Sequence, residues 1–325
     1  IVGFSREAGN KALFYHATPD ADEKRVTVSH LNAYLKNAPD VFIWNRNKPL
    51  SDVPAIGIGS QPIDNGNYLF TPEEKTGFLS KEPAAEKYFH KWLGSQEFIR
   101  GIERWCLWLG EVKWVDLKNL PCCRERIENV RNYRLASSRK QTLKAAERPN
   151  HFGTEIISDS SAIIIPKVSS ERRRYIPMGF VGPETLCSDL VFLIPNASLY
   201  HFGVLQSQFH NAWTRTVAGR LKSDYRYSGG IVYNNFVWPE PAEAQRKEVE
   251  RCAQSVLAAR DAQQGATLAD MYDPKNETFF PELVAAHREL DAAVEAAYGV
   301  DFNGDEEKIV AHLFALYAEK AGMTD

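Results

Sequence analysis

The chain has 325 residues and a mass of 36.7 kDa, with 44% hydrophobic and 25% charged residues, 17 Pro and 20 Gly. This composition excludes collagen-like, coiled-coil and wholly disordered classes, and the length exceeds what one hydrophobic core ordinarily serves, so two or three domains are expected. The net charge of −3 hides an asymmetry: residues 1–119 hold 15 Lys+Arg against 15 Asp+Glu (0), residues 120–230 hold 16 against 9 (+7), and residues 231–325 hold 8 against 18 (−10).

A basic middle in an acidic chain fits a surface that meets a polyanion, or scattered solvated charge. Apolar runs such as Ile163–Ile165 and Val191–Ile194 fall far short of the roughly 20 residues of a membrane span, so none is expected. The five cysteines, Cys106, Cys122, Cys123, Cys187 and Cys252, lack C-x-x-C spacing. They point to a reducing, cytoplasmic setting. The chain opens on Ile1-Val2-Gly3-Phe4 without Met or a signal-peptide pattern, and reads as a piece of a longer polypeptide.

In chain order, Ile1–Phe4 and Ala12–Tyr15 around a polar stretch predict a hairpin, and Ser29–Leu35 a short helix capped by Ser29. Gly57-Ile58-Gly59 is followed by no helix pattern, so it reads as a turn and not as a dinucleotide loop. Apolar residues at helical spacing predict helices over Pro83–Trp92 and Phe98–Leu107, with Arg104–Leu109 as a buried strand or helix end. Cys122–Leu135 is helical, with Ile127, Val130 and either Tyr133 or Arg134 on one side and Arg124, Glu128 and Arg131 on another. Ser137 and Ser138 are candidate N-caps for a following helix through Leu143 and Ala146, whose first turn presents Ser138, Arg139 and Lys140.

From 154 to 205 the pattern turns to strands: Ala162–Val168, Tyr175–Val181 and Leu190–Ile194, a small antiparallel sheet. Between the first two stand Glu171, Arg172, Arg173 and Arg174, at a hairpin tip or strand start. His201–Ala218 is helical with a core stripe. Arg220 to Tyr227 then mixes cations with tyrosine. Ala242–Gln264, Pro281–Tyr298 and Glu306–Ala321 are acidic amphipathic helices expected to form a small bundle. The fold class is therefore α+β: a mixed recognition domain with a small antiparallel sheet and helices, then an all-α C-terminal helical domain.

Catalytic chemistry finds little support. There is no G-x-S-x-G elbow, no H-E-x-x-H, no P-loop and no Cys/His metal cluster. Duplex nucleic acid is better supported, since it needs cations over phosphates and planar groups at base edges. Arg172, Arg173 and Arg174 suit guanine O6/N7, and Glu171 suits cytosine N4; along a strand Glu171 and Arg173 would share a face. Arg220, Lys222, Ser223, Tyr225, Arg226 and Tyr227 suit phosphate clamping. The alternatives are a protein-interaction or scaffolding module whose basic surface meets an acidic partner, including its own acidic tail, and a freestanding hydrolase.

Specific strings carry a resemblance. Asn234-Asn235-Phe236-Val237-Trp238-Pro239, G-R-L-K-S-D-Y-R-Y-S at 219–228 and I-P-N-A-S-L-Y-H-F-G at 194–203 closely resemble the C-terminal part of MmeI-like type IIL restriction-modification enzymes. So do L-N-A-Y-L-K-N-A-P-D-V-F-I-W-N-R-N-K-P-L at 31–50, G-S-Q-P-I-D-N-G at 59–66 and R-W-C-L-W-L at 104–109. The match runs in order along nearly the whole chain.

Members of that family join a nuclease, a helical spacer, an adenine-N6 methyltransferase, a target recognition domain and a helical domain in one bacterial polypeptide. The chain lacks N-P-P-Y or D-P-P-Y, a glycine-rich S-adenosylmethionine motif and a PD-(D/E)xK site. The resemblance therefore implies that residues 1–20 are the last hairpin of a methyltransferase domain, 21–240 the recognition domain and 241–325 the helical domain. It implies base reading by Ser138, Arg139 and Lys140 and by Glu171, Arg172 and Arg173. Arg124, Arg131, Arg174, Arg220, Lys222, Ser223, Tyr225, Arg226 and Tyr227 are assigned to the DNA backbone. The partners are double-stranded DNA and the methyltransferase and nuclease domains of the same polypeptide. No cofactor is expected in this region; the whole enzyme would use S-adenosylmethionine, and Mg2+ where a nuclease is present. Alone, the region should catalyse nothing.

Overall fold

A computed structural model of the chain describes residues 11–15, 24–157 and 159–322. Strands β1 (Lys11–Tyr15) and β2 (Lys24–Val28) pair antiparallel with Leu13 opposite Val26. Ile1–Phe4, the expected partner of Ala12–Tyr15, lies outside the described residues. Ser29–Leu35 forms no helix. The Asn32 side chain accepts from the backbone N–H groups of Tyr34 and Lys36 at 3.0 and 3.1 Å, and Leu35 sits at φ +58°, so a local asparagine turn wins over the helix.

Gly57-Ile58-Gly59 is not a turn either: Gly57–Ile58 is strand β3. A Cβ at Gly59 would fall on the carbonyl oxygens of Cys187 and Ser188, and the adjacent Ser60 N–H donates to Cys187 at 2.7 Å. The glycine permits close backbone approach, not phosphate binding.

One lobe is built on β4 (Leu69–Phe70), β5 (Phe89–Leu93) and β6 (Trp105–Leu107), with the later strand Thr185–Cys187 running parallel to β5 at one edge. Around them lie α1 (Pro72–Lys81), a 3-10 turn at Pro83–Tyr88, α2 (Ser95–Arg100), α3 (Trp114–Leu117), α4 (Pro121–Leu135) and α5 (Lys140–Ala145). The helices expected over Pro83–Trp92 and Phe98–Leu107 are thus each part helix, part strand. Short apolar runs satisfy both periods, and Gly101 at φ +62° stops α2 in the left-handed cap that glycine favours. Phe70, Phe78 and Phe89 meet edge-on at centroid distances of 5.0 to 5.7 Å in this lobe's core.

The second sheet contains β7 (Ala162–Pro166), β9 (Gly179–Val181) and β11 (Val191–Pro195), in the antiparallel order β3-β11-β7-β9. Every residue of β7 is buried, as an inner strand covered on both faces should be. The expected three strands form, but Tyr175–Met178 stays outside the sheet. A third sheet joins β8 (Val168–Ser169), β12 (Gly219–Leu221) and β13 (Asp224–Arg226) in the order β12-β13-β8; β10 is the Thr185–Cys187 strand of the first lobe.

The expected helix from His201 to Ala218 is two helices, α6 (Leu199–Gln206) and α7 (Gln208–Val217), broken where Ser207 turns extended at ψ 166°. The tail carries α8 (Glu243–Asp261), α9 (Leu268–Met271), a 3-10 turn at Pro274–Phe279, α10 (Pro281–Ala297) and α11 (Glu306–Lys320). These do not bury their apolar faces only against one another. One core runs from Ile163 and Ile165 through Phe202, Phe209 and Trp213 to Val256, Leu290 and Phe314. No helix among the described residues is long and apolar enough to cross a membrane.

A close crossing in this core is at Gly203 of α6. A Cβ there would stand 2.8 Å from Val249 Cγ1, 3.2 Å from Ala253 Cβ and 3.3 Å from Leu290 Cδ1. Alanine adds about 1 kcal/mol of helix propensity, but overpacking costs about 1–3 kcal/mol. Gly203→Ala should therefore be neutral to destabilising despite the better helix former; a higher urea midpoint by tryptophan fluorescence would refute the close crossing.

Candidate nucleic-acid interface

The first expected reading stretch sits on an elbow between α4 and α5. Proline at N1 starts α4, and the buried Glu82 carboxylate accepts from the N–H groups of Cys122 (2.7 Å) and Cys123 (3.1 Å). An acid thereby closes the positive end of the helix. Arg124 and Arg131 are exposed, and Arg131 makes a loose pair with Glu128 at 3.6 Å. Ser138 does not cap α5. Arg139 occupies the N-cap position without a side-chain bond, while Ser137 Oγ accepts from the Arg139 N–H at 3.1 Å. Ser138, Arg139 and Lys140 are all exposed on the elbow.

What holds the elbow is Arg134, which is fully buried. Its guanidinium donates to five backbone carbonyls: Ile63 at 3.0 Å, Ala145 at 2.7 Å, Arg148 at 3.2 Å, Pro62 at 2.8 Å and His151 at 2.8 Å. Two of these carbonyls belong to the end of α5 and the turn after it, where a cation also meets the negative end of the helix. Burial pulls the Arg134 pKa down, opposed by Tyr68, Asp64 and Glu155; a guanidinium keeps its charge through such a shift. In the sequence Arg134 was only one of two possible residues for the apolar side of the helix, and nothing marked its role.

The second stretch, Glu171 to Arg173, lies in a turn and not along a strand, so Glu171 and Arg173 do not share a strand face. The Arg173 N–H bonds back to the Ser170 carbonyl at 3.2 Å. β8, immediately before this turn, pairs with β13, Tyr225 opposite Ser169 and Arg226 opposite Val168. The two cationic segments separated in sequence therefore become neighbours, and the Glu171 N–H reaches Asp224 Oδ1 at 3.4 Å. Glu171, Arg172 and Arg174 are exposed. Arg173 is half-buried; burial pulls its pKa down against the pull of Asp273 and Asp224, with Arg100 and Arg172 adding like charge.

The hairpin of β12 and β13 turns through Lys222 at φ +57°, leaving Arg220, Lys222, Ser223 and Arg226 exposed. Its tyrosines correct the sequence expectation. The Tyr227 hydroxyl is buried against His210 Nε2 at 2.9 Å, and the buried Tyr225 ring lies 3.9 Å under the Arg220 guanidinium. Alternation on the strand turns Tyr225 and Tyr227 inward, opposite to Arg226. Neither presents a ring to the surface. Arg174 likewise has neighbours of its own, Gln208 at 3.5 Å and Asp291 at 3.9 Å, and Arg172 lies 3.9 Å from Asp273. Turn and hairpin thus form one cluster beside the acidic helices, while the α4–α5 elbow stands on the core of the other lobe.

Sequence reasoning missed Asp291. Its carboxylate accepts from the Tyr175 hydroxyl at 2.6 Å and the Gln208 N–H at 2.7 Å. Burial pushes it up to about 6, against those two bonds and the charges of Arg174 and Arg215.

Residues 37–240 match the family described as MmeI, target recognition domain, and residues 241–323 the family described as MmeI, C-terminal domain. The chain belongs to the MmeI family. It is 41% identical over 322 residues to DNA methyltransferase A of Bacillus subtilis (strain 168), a match covering 98% of this chain and 36% of that protein. The structure of the type IIL restriction-modification enzyme MmeI in complex with DNA superposes with a TM-score of 0.90 at 38% identity, over 98% of this chain and 42% of the MmeI chain. The chain thus spans well under half the length of either relative. The mixed recognition part followed by a helical C-terminal part is the MmeI arrangement, as the motifs had led one to expect.

Replacing Arg134 with Lys should destabilise the fold by roughly 3–5 kcal/mol, because an ammonium cannot serve five carbonyls placed around a planar fork. Hydrogen exchange should show protection lost over 136–151 before α10 is affected; retained protection there would refute the clamp. For Asp291, whose carboxyl is raised by burial, the stabilising contribution is present below the ordinary carboxylate range and lost as pH rises through about 6. Asp291→Asn should therefore gain stability relative to the native protein between about pH 4 and about pH 7, measured as the difference in urea midpoints.

Proposed function

We propose that this chain is the sequence-reading portion of a bacterial restriction-modification enzyme, which binds duplex DNA and fixes the target beneath an adenine-N6 methyltransferase in the rest of the polypeptide. The observation that carries the reading is the β8–β13 pairing, which joins the turn Glu171–Arg173, with Glu171 and Arg172 exposed and Arg173 half-buried, to the cationic hairpin Arg220–Arg226. One exposed element thereby offers planar groups for base edges and cations for phosphates, the two components a sequence-reading surface needs. The likeness to an MmeI structure in complex with DNA supports the same reading.

In this reading Glu171, Arg172 and Arg173 on the turn and Ser138, Arg139 and Lys140 on the elbow read bases. Arg124, Arg131, Arg220, Lys222, Ser223 and Arg226 hold the backbone. Arg174, beside Asp291, serves the protein's own packing as much as phosphate. The proposed division is a methyltransferase end over residues 1–20, recognition over 21–240 and a helical domain over 241–325. S-adenosylmethionine, and Mg2+ for any nuclease, would be bound by the remainder of the enzyme. Base flipping and methyl transfer would take place there, with this chain contributing no reacting group.

A second reading, a basic surface satisfied by acidic protein, is favoured by the pairing of Arg172 and Arg174 with Asp273 and Asp291. Salt separates the two. Selection from a randomised duplex pool should return a preferred sequence, with log affinity falling linearly in log salt by about 0.9 per phosphate neutralised. Lys222→Ala should weaken binding to all duplexes alike. Glu171→Ala or Arg173→Ala should relax preference at a single base pair by about 1–3 kcal/mol. Absence of duplex binding at low salt would overturn the reading.

A further inference from the structure

The segment that leaves the reading turn, Arg174 to Met178, has no partner strand. Helix side chains take up its polar groups instead. The Arg174 carbonyl accepts from Arg215 Nη1 at 2.8 Å, and the Tyr175 hydroxyl donates to Asp291 at 2.6 Å. The Ile176 N–H donates to Asn211 Oδ1 at 2.8 Å, while Gln206 spans the chain, donating to the Ile176 carbonyl at 3.1 Å and accepting from the Met178 N–H at 3.2 Å. Arg260 donates to the Met178 carbonyl at 2.6 Å. The Tyr175 ring stacks on His287 with centroids 4.0 Å apart and planes 15° apart.

These partners come from α6, α7, α8 and α10, and Arg215 in turn makes a two-toothed bond to Glu306 at the start of α11, at 3.0 and 2.8 Å. A strand would have satisfied the same backbone groups within a sheet. The molecule instead keeps Gln206, Asn211 and Arg260 almost wholly buried against this short segment. Buried polar side chains are costly unless fully bonded, and when fully bonded they fix one geometry. Tyr175 is two residues from Arg173, so the fix reaches the turn directly.

Resting on the proposed DNA reading, we infer that the C-terminal helices set base discrimination: Tyr175 and Asp291 are positioning residues that hold Arg173 in the orientation in which it reads its base pair. A paired contact to a base edge tolerates only small errors of distance and angle, whereas phosphate contact tolerates large ones. Loosening the socket should therefore erase discrimination at one base pair and leave general affinity intact.

The test compares the 325-residue chain with its Tyr175→Phe and Asp291→Asn variants, using the duplex sequence selected by the native chain and its single-pair variants. Tyr175→Phe keeps the ring stack and removes only the hydroxyl. It should reduce discrimination roughly tenfold, about 1.4 kcal/mol, at the pair lost in Arg173→Ala. Discrimination at the pair read by the elbow, the salt slope and the affinity for unrelated duplex should not change. Asp291→Asn should retain discrimination, because the amide accepts from Gln208 and donates to the Tyr175 hydroxyl. If Arg173→Ala relaxes one pair while Tyr175→Phe relaxes none, or relaxes all equally, the positioning role is overturned and the reading stands. If the native chain selects no sequence, both fall.

Discussion

The interaction on which the rest of the molecule depends is the burial of α6 and α7 among α8, α10 and α11. These two helices precede the acidic tail in sequence and follow the cationic turn. By packing into the tail they make a single core of what composition divides in two. Gly203 allows α6 and α8 to approach closely. The break at Ser207 then redirects the chain so that the Gln208 N–H at the new helix start meets Asp291. Without the break, a continuous helix could not supply both Gln206 and Asn211 to the same short segment at 176–178. The irregularity therefore follows from what the helices must hold.

Arg134 performs the corresponding task in the other lobe by a different means. It meets carbonyl dipoles from three pieces of chain and, among the described residues, no carboxylate within ion-pair distance. Five carbonyl acceptors, one for each N–H of the guanidinium, offset the desolvation of one positive charge. The elbow can then be exposed and polar while its base is fixed. Both expected reading stretches are thus short exposed turns mounted on buried polar anchors, an arrangement that gives order to segments too hydrophilic to order themselves by apolar burial.

Much of this was legible in the sequence, and the exceptions have physical causes. The cationic face of α4, the β7, β9 and β11 sheet and the core stripe of Phe202, Phe209 and Trp213 follow from hydrophobic period alone. At Phe89 and Trp92 an apolar pair three apart is compatible with helix and strand, and the choice is made by pairing with β6, where Phe89 lies opposite Leu107 and Lys91 opposite Trp105, a partnership that local period does not report. The interleaving of Tyr225 and Tyr227 with cations suggests a surface stripe. Alternation on a strand means the opposite: one set faces out and the other in. Helical period allows Arg134 on the apolar side of α4, but its role as an anchor is not legible because its partners are backbone carbonyls, which no side-chain pattern announces; Asp291 is bound by a tyrosine and a backbone N–H far away in sequence.

The acidic tail bears on how such a surface would work. Arg172 and Asp273 stand 3.9 Å apart with side chains 61% and 31% exposed, and an ion pair of that kind contributes at most about 1 kcal/mol and weakens with salt. It holds the guanidinium in place loosely enough that a phosphate or a base edge can displace the carboxylate. If the surface reads duplex as proposed, the same carboxylates would repel duplex that approaches without filling the turn. On the proposed reading, a weak intramolecular pair lowers affinity for every sequence by a similar small amount, while a matched base pair recovers more than that through paired hydrogen bonds to the freed arginine. Acidic residues beside a DNA-reading arginine then favour discrimination over affinity, which is a reason for a chain with a basic middle to carry its excess of negative charge in the helices that support the reading turn.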